Sequence, residues 1–186
     1  MSDPAHETRI LAGSLTLRPW TPADLTTVIE AYRDPAIRAA ARSPVEDAAA
    51  AERWLHRQME DRAAGRRFAF AVLDEEFGDE PVGNVVMMRA APGAPSGEVG
   101  YWTAARARGR SLAPRAVDAL GDWAFTAFAD DGLVRLELLH QVTNEASCRV
   151  AHKAGYALVE VVPPYPPWPD EGHRHARLRD GAWTPA

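Results

Sequence analysis

Arg108-Gly-Arg-Ser-Leu-Ala113 is the segment whose residue types and spacing point most directly to chemistry. It follows Gly97-Glu-Val-Gly-Tyr-Trp-Thr103, which reads as a strand, and it precedes a long apolar-striped segment. A strand that feeds a small-residue turn opening a helix presents convergent backbone N–H groups and the positive end of the helix dipole, which together cradle a phosphate. Arg106, Arg108, Arg110 and Arg115 add positive charge around this turn. Pro114 has no N–H to donate, so the cradle must rest on the amides of Gly109, Arg110, Ser111, Leu112 and Ala113. The plainer alternative is a basic loop that only caps a helix.

Further reactive side chains lie downstream. Asn144 stands where an N-cap would open a short helix, and Ser147 sits in its first turn, where a hydroxyl can bond to backbone. His140, at the end of the preceding strand, has the residue type of a base at neutral pH. His173 and His175 alternate on the last strand. Two histidines with no third ligand close in sequence are weak evidence for a metal, and none is expected. Cys148 lies inside the short helix without an obvious base in sequence, which argues against a thiol nucleophile. Tyr165 and Trp168, within Pro163-Pro-Tyr-Pro-Pro-Trp-Pro-Asp-Glu-Gly172, are placed to line a substrate pocket. The prolines exclude regular structure there, and a rigid lid suits that composition better than an adaptor ligand.

The elements that must position these residues follow from patterning. Ser14 to Arg18 alternates as a strand. Thr21-Pro22-Ala-Asp24 opens a helix that runs to about Arg33 and is broken by Asp34-Pro35. Ser43-Pro44-Val-Glu46 opens a second, with Ala51, Trp54, Leu55, Gln58 and Met59 on one face and Gly65 as its stop. Phe68 to Leu73, Pro81 to Arg89 and Glu98 to Thr103 read as three strands. Val117, Leu120, Ala124 and Phe128 mark the buried stripe of the helix after the cradle. Leu133 to Gln141 is a strand, Asn144 to Ala154 a short helix closed by Gly155, and Tyr156 to Val162 and Arg174 to Asp180 two final strands. Trp20, Trp54 and Trp123 read as core aromatics. Strands interleaved with helices in this order predict a mixed α/β sheet covered by helices.

Bulk properties narrow the function classes. At 186 residues the chain suits one well-buried domain. A net charge of −5 argues against general nucleic-acid binding. No apolar run approaches the roughly 20 residues that span a bilayer, and the N-terminal residues lack a signal-peptide pattern. One cysteine fits a reducing, cytoplasmic setting. A basic pocket within an acidic protein would suit an anionic ligand beside a cationic substrate.

The three stretches together, with Asn144-x-x-Ser147-x-x-Val150-x-x-Lys153-x-Gly155-Tyr156 as the last, resemble the GNAT superfamily of acetyl-CoA-dependent N-acetyltransferases. Within it the chain looks most like the branch that acetylates ribosomal-protein N-termini and its small-amine relatives. The resemblance covers about Ser14 to Asp180. It implies a single GNAT-like domain over 1–186, with a mixed, mostly antiparallel central sheet of about seven strands and helices on both faces. The family turn is roughly Arg/Gln-x-x-Gly-x-Gly/Ala. This chain supplies Arg108 and Ala113 but places Ser111 at the usual glycine, at the cost of modest strain if φ there is positive.

What the resemblance implies about chemistry is specific. Acetyl-CoA lies between the fourth and fifth strands, its pyrophosphate on residues 109–113, its pantetheine paired with the backbone near Trp102 and Thr103 and touched by Asn144. The amine attacks directly, without an acyl-enzyme. Glu98 is the matching general base, although a one-residue slip would turn it to the other face; His140 is a second candidate. Some relatives use a tyrosine seven residues after the asparagine as the acid. Here that position is Ala151, and Ser147 takes the role as in the resembling branch. The expected partners are acetyl-CoA and an amine acceptor, with no metal, nucleic acid or membrane, and a homodimer stays open. The alternative is an acyl-CoA-binding sensor or interaction module without turnover.

Overall fold

The computed structural model describes residues 8–41, 45–164, 166 and 169–179. Its centre is one sheet of eight strands: β1 (Ile10–Ala12), β2 (Leu15–Pro19), β3 (Arg67–Asp74), β4 (Gly83–Met88), β5 (Ser96–Thr103), β6 (Arg135–Gln141), β7 (Ala157–Val162) and β8 (Gly172–Leu178). Their spatial order is β1-β2-β3-β4-β5-β6-β8-β7. All neighbours are antiparallel except β5 and β6, which run parallel. That exception follows from connectivity, because a helix crosses over between these two strands. The expected count of about seven strands misses β1, which is too short to show a period of its own.

Among the described residues five α-helices cover the sheet: α1 (Leu25–Ala31), α2 (Pro35–Ala40), α3 (Ala48–Ala63), α4 (Leu112–Ala127) and α5 (Glu145–Lys153). The sheet buries both faces, which explains why β3 alternates poorly. Phe68, Phe70 and Val72 join Val117, Leu120 and Ala124 of α4 and its C-cap Phe128 in one core. Ala69 and Ala71 join Trp20, Val28, Tyr32, Trp54 and Leu55 in the other. A strand covered on both sides needs apolar residues at successive positions. The buried stripe of α4 is as patterned in the sequence. That of α3 holds for Ala51, Trp54, Leu55 and Gln58, but Met59 is 40% exposed.

Two local departures matter for the site. Asp34-Pro35 does not simply end a helix: Asp34 caps α2, its carboxylate accepting from the Ala36 N–H at 2.8 Å, with Pro35 in the first turn. Helix α3 is capped by Asp47, whose carboxylate accepts from the Ala50 N–H at 2.6 Å. The Ser43-Pro44 start expected for it falls outside the described residues. Among the described residues no helix is long and apolar enough to cross a membrane.

Candidate active site

Strands β5 and β6 pair only from Ser96–Arg135 to Val99–Leu138 and then part. Beyond this fork, Gly100 to Thr103 keep β4 on one edge and have no strand partner on the other among the described residues. The gap opens into a cavity of about 620 Å³. Alternation along β5 sorts its side chains between the two cores. Val99 and Tyr101 belong with the α4 side, while Trp102 packs on the α1–α3 side. Glu98, in step with Trp102, lines the cavity, so its facing suits the expected role.

The far wall of the gap comes from β6 and α5. Asn144 does cap α5: its side chain accepts from the Ser147 N–H at 3.1 Å, and it also lines the cavity. Ser147 is buried, and its hydroxyl meets the Tyr101 phenol at 2.9 Å across the fork. Burial pushes the Tyr101 phenol above its ordinary value, opposed by the Ser147 bond. Sequence reasoning missed Tyr101, because its partner is 46 residues away.

Glu98, Trp102, His140, Asn144 and Ser147 thus share one cavity. Trp102 also brings an indole N–H that is buried without a hydrogen-bond partner. An orphaned donor of this kind is costly unless a ligand acceptor meets it. Tyr165 and Trp168 fall outside the described residues, although Asp170 and Gly172, from the same loop, line the cavity.

The cradle lies past the end of β5, at the start of α4. Gly109 and Ser111 both have positive φ, +79° and +57°, and Ser111 is the sole non-glycine of this kind among the described residues. Alternating such residues with ordinary ones turns successive N–H groups inward, as an anion requires. The amides of Gly109, Arg110 and Ser111 donate to no protein acceptor among the described residues. Leu112 and Ala113 occupy the first helical turn, whose N–H groups have no intrahelical acceptor. The strain that a positive φ would bring to Ser111 is therefore present, beside backbone N–H groups that no protein acceptor takes up among the described residues.

The arginines are less free than their clustering suggests. Arg108 pairs with Asp34 at 2.5 Å and donates to the Thr103 carbonyl at 3.1 Å. Arg110 pairs with Glu76, and Arg106 with Glu80 at 2.9 Å. Arg115 turns away from the turn altogether and holds the β1–β2 hairpin through the Ala12 carbonyl at 2.9 Å. The four arginines thus make three ion pairs and one structural pin.

His140 sits at the fork with both nitrogens engaged: Nδ1 at 2.7 Å from the Gln141 carbonyl and Nε2 at 3.2 Å from Nε2 of His175. Burial lowers its proton affinity, with the Gln141 carbonyl opposing and His173 reinforcing. Burial likewise lowers that of His175, helped by His140, while the Tyr156 backbone opposes. Cys148, expected to lack a base nearby, lies 3.2 Å from Nδ1 of His173.

Residues 14–157 match the family model described as the acetyltransferase (GNAT) domain. The chain belongs to the GNAT acetyltransferase family. The solved structures similar to it include Mycobacterium smegmatis RimJ in complex with CoA-disulfide, with a TM-score of 0.78 at 21% identity over 91% of this chain and 84% of that one. A ribosomal-protein-S5-alanine acetyltransferase from Vibrio fischeri gives 0.75 at 20% over 96% and 100%. A Salmonella typhimurium acetyltransferase that modifies the N-terminal serine of ribosomal protein L7/L12 gives 0.79 at 16% over 93% and 100%. At these identities the likeness speaks for the fold. No curated protein matches the sequence.

Proposed function

We propose that this acetyltransferase moves an acetyl group from acetyl-CoA directly to a primary amine, on a protein N-terminus or a small molecule. The observation that carries the reading is the fork. A cavity opens where β5 and β6 part, the edge of Gly100 to Thr103 has no strand partner, and the unpartnered amides of Gly109 to Ser111 lie beyond that edge. That sequence of features suits pantetheine along the strand and pyrophosphate on the helix start.

Chemistry then needs positioning and two proton transfers. The amine nitrogen attacks the thioester carbonyl while Glu98 takes its proton, directly or through water. The C–S bond breaks, and the thiolate leaves with the Ser147 proton, which Tyr101 replaces from its 2.9 Å hydrogen bond. Backbone donors on the open edge of β5 stabilise the charge that builds on the carbonyl oxygen. Glu98 is preferred to His140 for its place on β5, in step with Trp102 and on the cavity wall. The acidic groups Glu98, Asp61 and Asp170 around the cavity suit a cationic acceptor, although Arg57 and Arg67 share the wall. A cytoplasmic setting is part of the same reading.

Calorimetry of acetyl-CoA on wild type and Gly109→Trp, followed by release of free CoA with a panel of amines, tests this. Micromolar binding lost in the variant, with amine-dependent thiol release in wild type, is the expected result. Binding without release for any amine would favour a sensor or interaction module. Absent binding would refute both readings.

A further inference from the structure

On the α5 side of the fork, side chains that no step above uses converge from three elements. His140 comes from β6, His173 and His175 from β8, and Cys148 from α5. The register sets His140 opposite His173 and Leu138 opposite His175, so all three imidazoles leave the same face of the sheet. One ligand atom from each of the four residues lies within 4.8 Å of all the others. Three of the six separations are 3.2 Å between Nε2 of His140 and Nε2 of His175, 3.2 Å between Cys148 Sγ and His173 Nδ1, and 3.7 Å between Cys148 Sγ and His175 Nε2, and the other three stay within 4.8 Å.

Zinc bond lengths set the scale. With Zn–N of about 2.0–2.1 Å and Zn–S of about 2.3 Å, a tetrahedral site has edges of about 3.3 Å between nitrogens and about 3.5 Å between nitrogen and sulfur. Those three separations straddle these values before any ion is considered. Hydrogen bonding alone accounts for the cluster less well. His140 Nδ1 faces a carbonyl, which can only accept, so in the neutral ring the proton is on Nδ1 and Nε2 carries a lone pair. That lone pair faces Nε2 of His175, a side chain with 0% exposure whose Nδ1 has no hydrogen-bond partner of normal geometry. A His175 proton on Nε2 leaves a buried lone pair orphaned at Nδ1. A proton on Nδ1 turns two Nε2 lone pairs toward each other. A cation between them resolves the second arrangement, and the Gln141 carbonyl then plays the orienting part that carbonyls play behind metal-bound histidines.

We propose that His140, Cys148, His173 and His175 form a closed tetrahedral site for one Zn²⁺ ion. Three neutral imidazoles and one thiolate bind it, and the thiol proton leaves to solvent. Four protein ligands leave no open position, so the site is structural and the ion is no Lewis acid for the transfer. Its effect on the enzyme is mechanical: it ties α5, which carries Asn144 and Ser147, to β6 and β8. The sequence does not reveal the set, because its members come from three elements that are apart in the chain.

The test uses the full chain, stripped with a chelator and titrated with Co²⁺ and then Zn²⁺, and read by absorption and by thermal midpoint. One equivalent of Co²⁺ should give the intense visible bands of tetrahedral cobalt and a near-ultraviolet thiolate charge-transfer band. Zn²⁺ should bleach both and raise the midpoint. Cys148→Ser should lose the charge-transfer band. His173→Gln, at a half-buried position, should keep the wild-type far-ultraviolet dichroism and bind at least about tenfold more weakly. Weak octahedral bands in wild type, a charge-transfer band that survives in Cys148→Ser, or unchanged affinity in His173→Gln would each overturn the proposal. None of these readouts depends on acetyl transfer.

Discussion

The Tyr101–Ser147 hydrogen bond spans the fork between β5 and α5, and removing it tests whether Ser147 moves a proton or only packs. Ser147 is buried and its bond to the phenol is 2.9 Å long. A neutral bond of this kind is worth about 1 kcal/mol net. Tyr101→Phe should therefore lower stability by about that amount, and if Tyr101 only positions the serine it should lower kcat by about five- to tenfold. Ser147→Ala removes the group proposed to protonate the thiolate, which general acid catalysis values at about 10²- to 10⁴-fold. Because the phenol acts through the serine, the double variant should be no slower than Ser147→Ala alone. The assay is steady-state release of free CoA with acetyl-CoA varied, alongside urea unfolding of each protein. KM for acetyl-CoA should stay near wild type in Tyr101→Phe. A kcat for Ser147→Ala within threefold of wild type would refute the proton role, and multiplicative losses in the double variant would refute the series arrangement.

Glu98→Gln should lower kcat by about 10²-fold or more near neutral pH, with activity recovering as pH rises and solvent deprotonates the amine; an unchanged pH–rate profile removes Glu98 as base. Asp34→Asn keeps the α2 cap, since asparagine caps as well as aspartate, but releases Arg108 from its exposed 2.5 Å pair. Such pairs are worth about 0.2–1 kcal/mol, so acetyl-CoA should bind up to about fivefold more tightly, and unchanged affinity in calorimetry would mean Arg108 does not serve the ligand. Asp24 is buried, which alone would raise its pKa, but two bonds from Arg18 at 2.7 and 2.8 Å and two from Thr21 outweigh that and hold it below its ordinary value. A depressed folded pKa gives stability that is present above the unfolded value of about 3.9 and lost as pH falls through the folded one. Asp24→Asn should be less stable than wild type at neutral pH, with the gap narrowing below about pH 4; a gap that stays constant with pH would show that the carboxylate charge contributes nothing.

What could be read from the chain is what local rules control. The α4 stripe at Val117, Leu120, Ala124 and Phe128 follows helical period, and the Asn144 cap follows side-chain chemistry. The positive φ at Ser111 is legible only conditionally, from the glycine that the resembling family usually places there. Asp34-Pro35 shows where the same rules mislead. Patterning makes Thr21-Pro22 a start and Asp34-Pro35 a stop, although a capping side chain followed by proline opens a helix at both. The rest of the site is not local. Arg108 finds Asp34 across 74 residues, Arg110 finds Glu76 across 34, and Cys148 finds His173 across 25. Nothing in periodicity or propensity encodes such pairings; the topology of the sheet does.

The fork explains why these distant pairings collect in one place. Every other neighbour in the sheet is antiparallel, but β5 and β6 must run parallel because α4 returns the chain to the starting end. Their pairing ends after Val99 and Leu138. Past that point β5 runs on beside β4, while β6 stays with β8. Tyr101 reaches from β5 to Ser147 of α5 and bridges the opening. On the other flank, the contacts of Cys148 with His173 and His175 fix α5 to β8. The opening is thus bounded by β4–β5 on one side and β6–β8–α5 on the other, joined at its closed end by four residue pairs. A ligand that enters need not spread the strands or expose their backbone, since both costs are already met in the fold. Preorganisation of that kind is what a transfer reaction without a covalent intermediate depends on. It also predicts that changes loosening α5 from β8 will damage turnover more than they damage global stability.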